Sequence, residues 1–169
     1  VRPGEPAQGL GWPLSVELGP GLMGGIFDGV QRPLEKIALE SGDYIRRGIA
    51  VPALDRARVW ELEPNRDLTP GDQVGPGTVL GTVQETETVL HKIMVPPGVE
   101  GELLEIAPGG DYDIESTIAR VRDRRGISHR LSLYQRWPVR KPRPYRRRDD
   151  GVSPLITGQR VIDTFFPQL

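Results

Sequence analysis

In the stretch Pro70-Gly-Asp-Gln-Val-Gly-Pro-Gly-Thr-Val-Leu80, a turn leads into apolar strand residues, and this pattern decides the fold class. The Gly-Asp pair turns the chain, and we expect Val74, Val79 and Leu80 to point inward. Pro- and Gly-rich separators recur at short intervals after it. The candidate strands between such separators are 49–54, 58–63, 78–84, 89–95, 100–106, 112–121 and 127–134. This spacing predicts a mainly β fold, a small barrel or sandwich.

A strand and a short helix precede the β-rich part. Residues 14–18 alternate apolar and polar side chains, which predicts a half-buried strand. Pro33 suits the first position of a helix over 33–41, because its missing N–H has no partner there. Leu34, Ile37 and Ala38 share one helical face, and Gly42 can end the helix in a left-handed conformation.

A Pro- and Arg-rich stretch and a second short helix follow the β-rich part. Residues 137–150 predict an extended connector. A helix is expected over 157–166, with Thr157 as its cap. Its apolar stripe would comprise Val161, Ile162, Phe165 and Phe166.

Composition bounds the remaining possibilities. The chain has 169 residues, with 21 Gly, 17 Pro and no Cys, so disulfides and thiolate ligands are excluded. No run reaches the length of a membrane span, so we expect a soluble product. Arg outnumbers Lys, Pro is frequent and Asn65 is the only asparagine, which suggests a thermophilic source.

Net charge divides the chain unevenly. Residues 1–119 hold 9 Lys/Arg against 19 Asp/Glu, and residues 120–169 hold 13 against 4. Seven of these cations lie in 136–148, interleaved with Trp137 and Tyr145. Arginine and aromatics together can bind single-stranded nucleic acid. We favour a connector that lies on acidic protein surface, because three prolines hold the stretch extended and two aspartates follow it.

Two motifs resemble cofactor sites. Gly19-Pro-Gly-Leu-Met-Gly24 matches the dinucleotide pattern G-x-G-x-x-G. That pattern must open directly into a helix, whereas the helix predicted here starts only at Pro33, so we interpret it as a structural turn. His91-Lys-Ile-Met94 is similar to the biotinyl-lysine sequence of carrier domains. Lys92 lies inside an apolar run, however, so we expect an outward-facing strand residue.

No metal or catalytic constellation emerges. His91 and His129 are far apart and lack the spacing of a zinc site. Asp111, Asp113 and Glu115 alternate along one predicted strand face, which we interpret as a solvated edge. No serine lies in a nucleophile elbow. We therefore expect no catalytic, cofactor-binding or metal-binding residue in this chain.

Three long blocks resemble the catalytic A subunit of A-type and V-type rotary ATPases. They are the block from Trp12 to Leu34, the block Gln135-Arg-Trp-Pro-Val-Arg-Lys-Pro-Arg-Pro144, and the block Pro154-Leu-Ile-Thr-Gly-Gln-Arg-Val-Ile-Asp-Thr-Phe-Phe-Pro167. The β-rich stretch between the first two resembles that family's bulge, or non-homologous, insertion. Together they cover essentially the whole chain.

The resemblance implies a fragment that ends before the Walker A loop. Its expected parts are the end of an N-terminal β-barrel (1–13), the first part of the core (14–42), the bulge insertion (43–125), and the return strand, connector and lead-in helix of the core (126–169). The insertion would sit on the edge of a truncated α/β nucleotide-binding core.

The resemblance also implies function. The parent protein would bind ATP and magnesium at its interface with the B subunit, and would couple ATP hydrolysis or synthesis to proton or sodium transport. It would be cytoplasmic, peripheral to the membrane, and the insertion would contact other subunits, including the peripheral stalk. The pattern G-x-x-x-x-G-K-[ST] is absent from the sequence. The fragment itself is expected to be inactive, without bound nucleic acid.

Two other functions are open on the sequence. The turn and strand pattern of 70–80 is similar to that of biotinyl and lipoyl carrier domains, so the chain could be a stand-alone binding module of that type. It could also be an oligonucleotide-binding barrel with a basic arm.

Overall fold

The computed structural model describes residues 3–7, 9, 11–42, 44–46, 48–143, 145 and 153–166. The expectation of a mainly β fold with two short helices is confirmed. The strands are β1 (Ser15–Leu18), β2 (Val59–Pro64), β3 (Gln73–Val74), β4 (Val79–Gln84), β5 (Leu90–Met94), β6 (Gly101–Ile106), β7 (Gly110–Asp113), β8 (Ala119–Asp123), β9 (Ser128–Leu131) and β10 (Gln135–Pro138). The helices are α1 (Leu34–Ser41) and α2 (Arg160–Phe165).

Two four-stranded antiparallel sheets form a sandwich, hereafter the sandwich (β2–β9). One sheet has the order β5-β4-β2-β7 and the other β3-β6-β8-β9, so the described strands leave open edges and do not close a barrel. One apolar cluster joins both sheets, with Leu62, Val83 and Ile93 from the first and Leu103 and Val121 from the second. Burial of this cluster holds the sheets face to face.

Beside the sandwich, β1 and β10 pair into a two-stranded ribbon, with Leu18 opposite Gln135. The chain therefore leaves the ribbon after residue 18 and re-enters it at 135, at neighbouring positions. Gly19 follows β1 so closely against Tyr134 that a Cβ there would lie 2.6 Å from the Tyr134 Cβ. Both ends of the intervening segment thus meet at one place.

Two strand predictions are wrong. Residues 49–54 form no strand. Their alternation reflects Leu54, which is buried beside Gly19 from an irregular backbone. Residues 112–121 are two strands in different sheets, because Asp113 forms a turn: its carboxylate accepts hydrogen bonds from the N–H groups of Glu115 and Ser116 at 2.8 and 2.7 Å.

Both helices differ in detail from expectation. Pro33 precedes α1 as its N-cap instead of opening it, and of the predicted apolar face only Ile37 is buried. Gly42 has the expected positive φ of 68°. The N-cap of α2 is Gln159, not Thr157, whose hydroxyl instead donates to Asp163 at 2.7 Å. The side chains of the predicted stripe on α2 are exposed.

Candidate functional site

The loop over 19–24 binds a carboxylate of the sandwich. The N–H groups of Gly21 and Met23 donate to the same oxygen, Glu85 Oε1, at 2.8 and 3.0 Å. Glu85 lies in the turn between β4 and β5, and its side chain is only 3% exposed. Convergent backbone N–H groups are a common anion-binding arrangement. Here the anion belongs to the chain itself.

The second oxygen of the same carboxylate faces a histidine. His91 Nδ1 lies 3.1 Å from Glu85 Oε2. Burial alone raises the pKa of Glu85, but the hydrogen bonds from Met23 and Gly21 and the interaction with His91 outweigh burial and hold the pKa below its usual value. Glu85 is therefore an ionised tie between the ribbon side of the molecule and the sandwich.

Arg56 makes a second tie. Its guanidinium binds the β1 residue Glu17 at 2.6 and 3.0 Å, reaches Glu115 at 2.9 Å and lies 5.0 Å from the centre of the Tyr134 ring. The hydrogen bonds with Glu17 raise the pKa of Arg56. Since Glu115 follows β7 in the sandwich, this one cation connects the ribbon with the sandwich. We call the Glu85 and Arg56 contacts together the joint.

The G-x-G-x-x-G match takes part in the joint. Its loop does not open into a helix, since α1 starts ten residues later at Leu34. The amides that would face a pyrophosphate are turned to Glu85. Gly21 has φ 104°, and a Cβ there would lie 3.2 Å from the Trp60 ring. The glycine is needed for a close approach of the loop to the sandwich.

The other singled-out residues lie apart from one another. Lys92 is exposed on β5, as the alternation predicts. His129 pairs with Asp123, 3.0 Å away, and does not approach His91 through any described contact. This hydrogen bond is the main reason that the pKa of Asp123 lies below its usual value.

The expected acidic strand face is broken. Asp111 and Asp113 are on the edge strand β7, but Glu115 lies in the following turn and binds Arg56. Hydrogen bonds from the N–H groups of Ser116 and Glu115 lower the pKa of Asp113. Within the described part of the chain, no group of three or more His, Asp or Glu could hold a metal ion.

The basic stretch packs partly on aromatic rings. The guanidinium of Arg136 lies 5.5 Å from the Trp12 ring centre, and that of Arg143 lies 4.4 Å from the Trp137 ring centre. Trp137 Nε1 donates to the Lys141 carbonyl at 2.6 Å. Residues 144 and 146–150 of the stretch lie outside the described residues. None of the described helices is long and apolar enough to cross a bilayer.

Sequence reasoning missed the residues of the joint. Glu85 stands in Gln84-Glu-Thr-Glu87, where nothing local separates it from Glu87. A possible signal was its place next to a buried strand, since Val83 and Glu85 share one face at a period of two.

Comparison with known proteins assigns the family. The family described as "ATPsynthase alpha/beta subunit barrel-sandwich domain" matches residues 51–140. The chain is 59% identical to the A subunit of the A-type ATP synthase of Methanopyrus kandleri over 99% of its length, and 56% identical to the V-type ATP synthase alpha chain of Nitrosococcus oceani over 100%. It is also 56% identical over 99% of its length to the A subunit of the A-type ATP synthase of Pyrococcus horikoshii.

The chain spans only part of these relatives, namely 28%, 29% and 17% of their respective lengths. The similarity nevertheless runs through the ribbon, the sandwich and α2 alike, and it favours neither a stand-alone carrier module nor a nucleic-acid-binding barrel. The chain belongs to the ATP synthase alpha/beta subunit family, in the branch of the A-type and V-type catalytic A subunits, and carries that family's barrel-sandwich domain.

Proposed function

We propose that this chain is a structural, subunit-contacting segment of the catalytic A subunit of a rotary ATPase, which couples ATP hydrolysis or synthesis to proton or sodium transport. The observation that carries the proposal is 59% identity over 99% of the chain with the A subunit of an A-type ATP synthase. The complex would be peripheral to the membrane on the cytoplasmic side.

The domain division expected from the sequence belongs to this proposal. Residues 1–13 end an N-terminal barrel, 14–42 begin the core, 43–125 form the insertion and 126–169 return to the core. The adjacency of Leu18 and Gln135 supports an insertion whose two ends meet. Such a segment can project from a parent domain without interrupting its sheet. Its partners would be other subunits of the complex, among them the B subunit, with the peripheral stalk included.

ATP and magnesium would bind elsewhere in the parent. The loop over 19–24 does not fit a phosphate, because Glu85 already accepts hydrogen bonds from its amides. A second carboxylate-sized anion would have to displace a buried, ionised side chain. No step of phosphoryl transfer is therefore assigned to the residues of this chain.

A chimera tests the family role directly. The matching segment of the Methanopyrus kandleri protein is replaced by this chain, and the complex is purified with its other subunits. We expect assembly and ATP hydrolysis within about twofold of the natural protein. Failure of the chimera to assemble, while the natural protein assembles under the same conditions, contradicts the proposal.

Excision tests the structural role. Removing residues 57–132 from the chimera, and joining the ends with a short Gly/Ser linker, deletes both sheets but keeps β1, α1, Arg56 and β10. We expect nucleotide binding by calorimetry to persist and ATP-driven ion transport to fall. Unchanged assembly of the complex and unchanged transport would show that the sandwich does not contact other subunits. The isolated chain, titrated with ATP and magnesium, should give no binding heat.

A further inference from the structure

We propose that the crevice between β5 and β9 is a docking site for an extended, acidic polypeptide segment of a partner protein, which pairs with the free edge of β5. The inference rests on strand edges, charge and an unpaired acceptor. It does not depend on the proposed role in ATP synthesis.

The first observation is that two strand edges border one crevice. Among the described strands, β5 ends one sheet and β9 ends the other. A crevice of about 230 Å³ lies between them, lined by residues of both edges and of the chain that leads into β10. Unpaired strand edges are templates for an added strand.

The second observation is the direction of the backbone groups. Val95 N donates to Thr78 O at 2.9 Å, and Glu85 N donates to Val89 O at 3.0 Å, so odd-numbered residues of this segment turn towards β4. Antiparallel pairing alternates, and the backbone groups of Leu90, Lys92 and Met94 therefore turn away from β4. Lys92 and Met94 line the crevice.

The opposite edge shows the same alternation. Asp123 N donates to Ile127 O at 2.9 Å and Ile118 N donates to Leu131 O at 2.8 Å. The backbone groups of Ser128, Arg130 and Ser132 consequently turn away from β8. Of these, Arg130 and Ser132 line the crevice. The crevice is thus bordered on both sides by N–H and C=O groups without a neighbouring strand.

Charge defines the partner. The residues that line the crevice include Lys92, Arg130 and Arg136 but no Asp or Glu. Arg136 stacks near Trp12 and keeps its charge, and the His91 ring is turned to Glu85. Acidic side chains on an added strand would meet complementary potential, whereas basic ones would be repelled.

An unpaired acceptor completes the site. The Gln135 Oε1 atom is buried and has no hydrogen-bond partner among the described residues, although Gln135 lines the crevice. A buried acceptor without a donor is costly. An extended segment offers a backbone N–H at each residue, which an inorganic anion does not.

The test uses the hexapeptide Glu-Val-Glu-Val-Glu-Val with blocked ends as the probe, and the full chain labelled with nitrogen-15. On addition of the peptide, we expect slower hydrogen exchange at the amides of Leu90, Lys92 and Met94. The amides of His91 and Ile93, already paired with β4, should change little. The peptide Lys-Val-Lys-Val-Lys-Val is the charge control and should bind at least about tenfold more weakly.

Substitutions at one position separate hydrogen bonding from charge. Lys92→Pro removes an N–H that faces away from β4, a position where an edge strand accepts proline. It should weaken peptide binding more than Lys92→Gln, which loses the same charge but keeps the N–H. The difference expected from one backbone hydrogen bond is about fivefold. Lys36→Gln, on α1, is the matched control and should leave binding unchanged.

Two results would overturn the inference. One is absence of peptide-dependent protection at Leu90, Lys92 and Met94, in which case Lys92 and Arg130 only protect the edges from aggregation. The other is equal binding of the acidic and basic peptides. If Lys92→Pro fails to fold, Arg130→Glu on the opposite edge carries the test, and acidic-peptide affinity that is unchanged in that variant is equally contradictory.

Discussion

Replacing Glu85 by alanine should loosen the joint without disturbing the hydrophobic core. The carboxylate receives N–H groups from Gly21 and Met23 and faces His91. The variant leaves these two donors without an acceptor and opens a polar gap between the loop over 19–24 and the β4–β5 turn. The apolar cluster of the sandwich keeps all of its members.

The magnitude follows from the two hydrogen bonds. A hydrogen bond to a charged group contributes about 1.5–3 kcal/mol, and a buried donor left without a partner costs a similar amount. Met23 is largely exposed, so its N–H can be rehydrated and the loss is smaller there. We expect the free energy of unfolding to fall by about 2 kcal/mol in total. For a chain of this size that corresponds to roughly 4–8 °C in Tm.

The assay is urea unfolding followed by tryptophan fluorescence, with Glu87→Ala as the control. Glu87 is exposed in the same turn and has no described side-chain partner, so its replacement should change the stability by less than about 0.5 kcal/mol. Hydrogen exchange at the Gly21 and Met23 amides should accelerate only in Glu85→Ala. Equal effects of the two substitutions, or unchanged exchange, would refute the assignment of Glu85 as a tie.

The pH dependence has a definite sign. Because the pKa of Glu85 is lower in the folded protein than in the unfolded chain, its contribution is fully present above the unfolded value of about 4.3 and is lost as the pH falls through the folded value. The stability difference between the natural protein and Glu85→Ala should therefore be constant from pH 6 to 8 and shrink below about pH 4. A difference that grows on acidification would contradict this assignment.

Three further substitutions probe the sandwich, each checked by the same unfolding assay. Gly101→Ala would drive a Cβ into the Arg122 carbonyl of β8 and should cost more than about 3 kcal/mol, whereas Gly75→Ala meets only the Glu100 Cγ at 3.7 Å and should be near neutral. Leu103→Ala, at a fully buried core position, should cost about 2–5 kcal/mol. Arg122→Gln removes an exposed cross-strand ion pair with Glu102, 2.8 Å long, and should cost less than about 1 kcal/mol and lose even that in high salt.

Strands bounded by Pro and Gly were predictable because those residues restrict the backbone locally. The prediction over 78–84 differs from β4 by one residue, and the one over 100–106 differs from β6 by one residue. The division of 112–121 was not predictable in the same way. Its turn is made by the Asp113 side chain, and an aspartate within an alternating strand pattern carries no unambiguous turn signal.

The joint could not be predicted because its contacts are long-range. Glu85 meets Gly21 across 64 residues, and Arg56 meets Glu17 across 39. A lone glutamate in a polar turn is usually solvated, and only the fold brings the loop over 19–24 above it. Likewise, the G-x-G-x-x-G match identified a loop with free amides but not what would occupy them.

Stability and orientation rest on different kinds of contact in this chain. The sandwich is held by an apolar cluster, which tolerates conservative exchange of one aliphatic side chain for another. The joint is held by ionised groups whose geometry allows few substitutes, since a guanidinium fork and two convergent amides each require a carboxylate at a fixed distance. A sandwich transplanted into a related protein should consequently fold whatever the host, but adopt its natural orientation only where Glu17, Arg56 and Glu85 are kept together. His91 touches both the joint and the crevice beside β5, so a segment docked on that edge would act one residue away from the Glu85 tie.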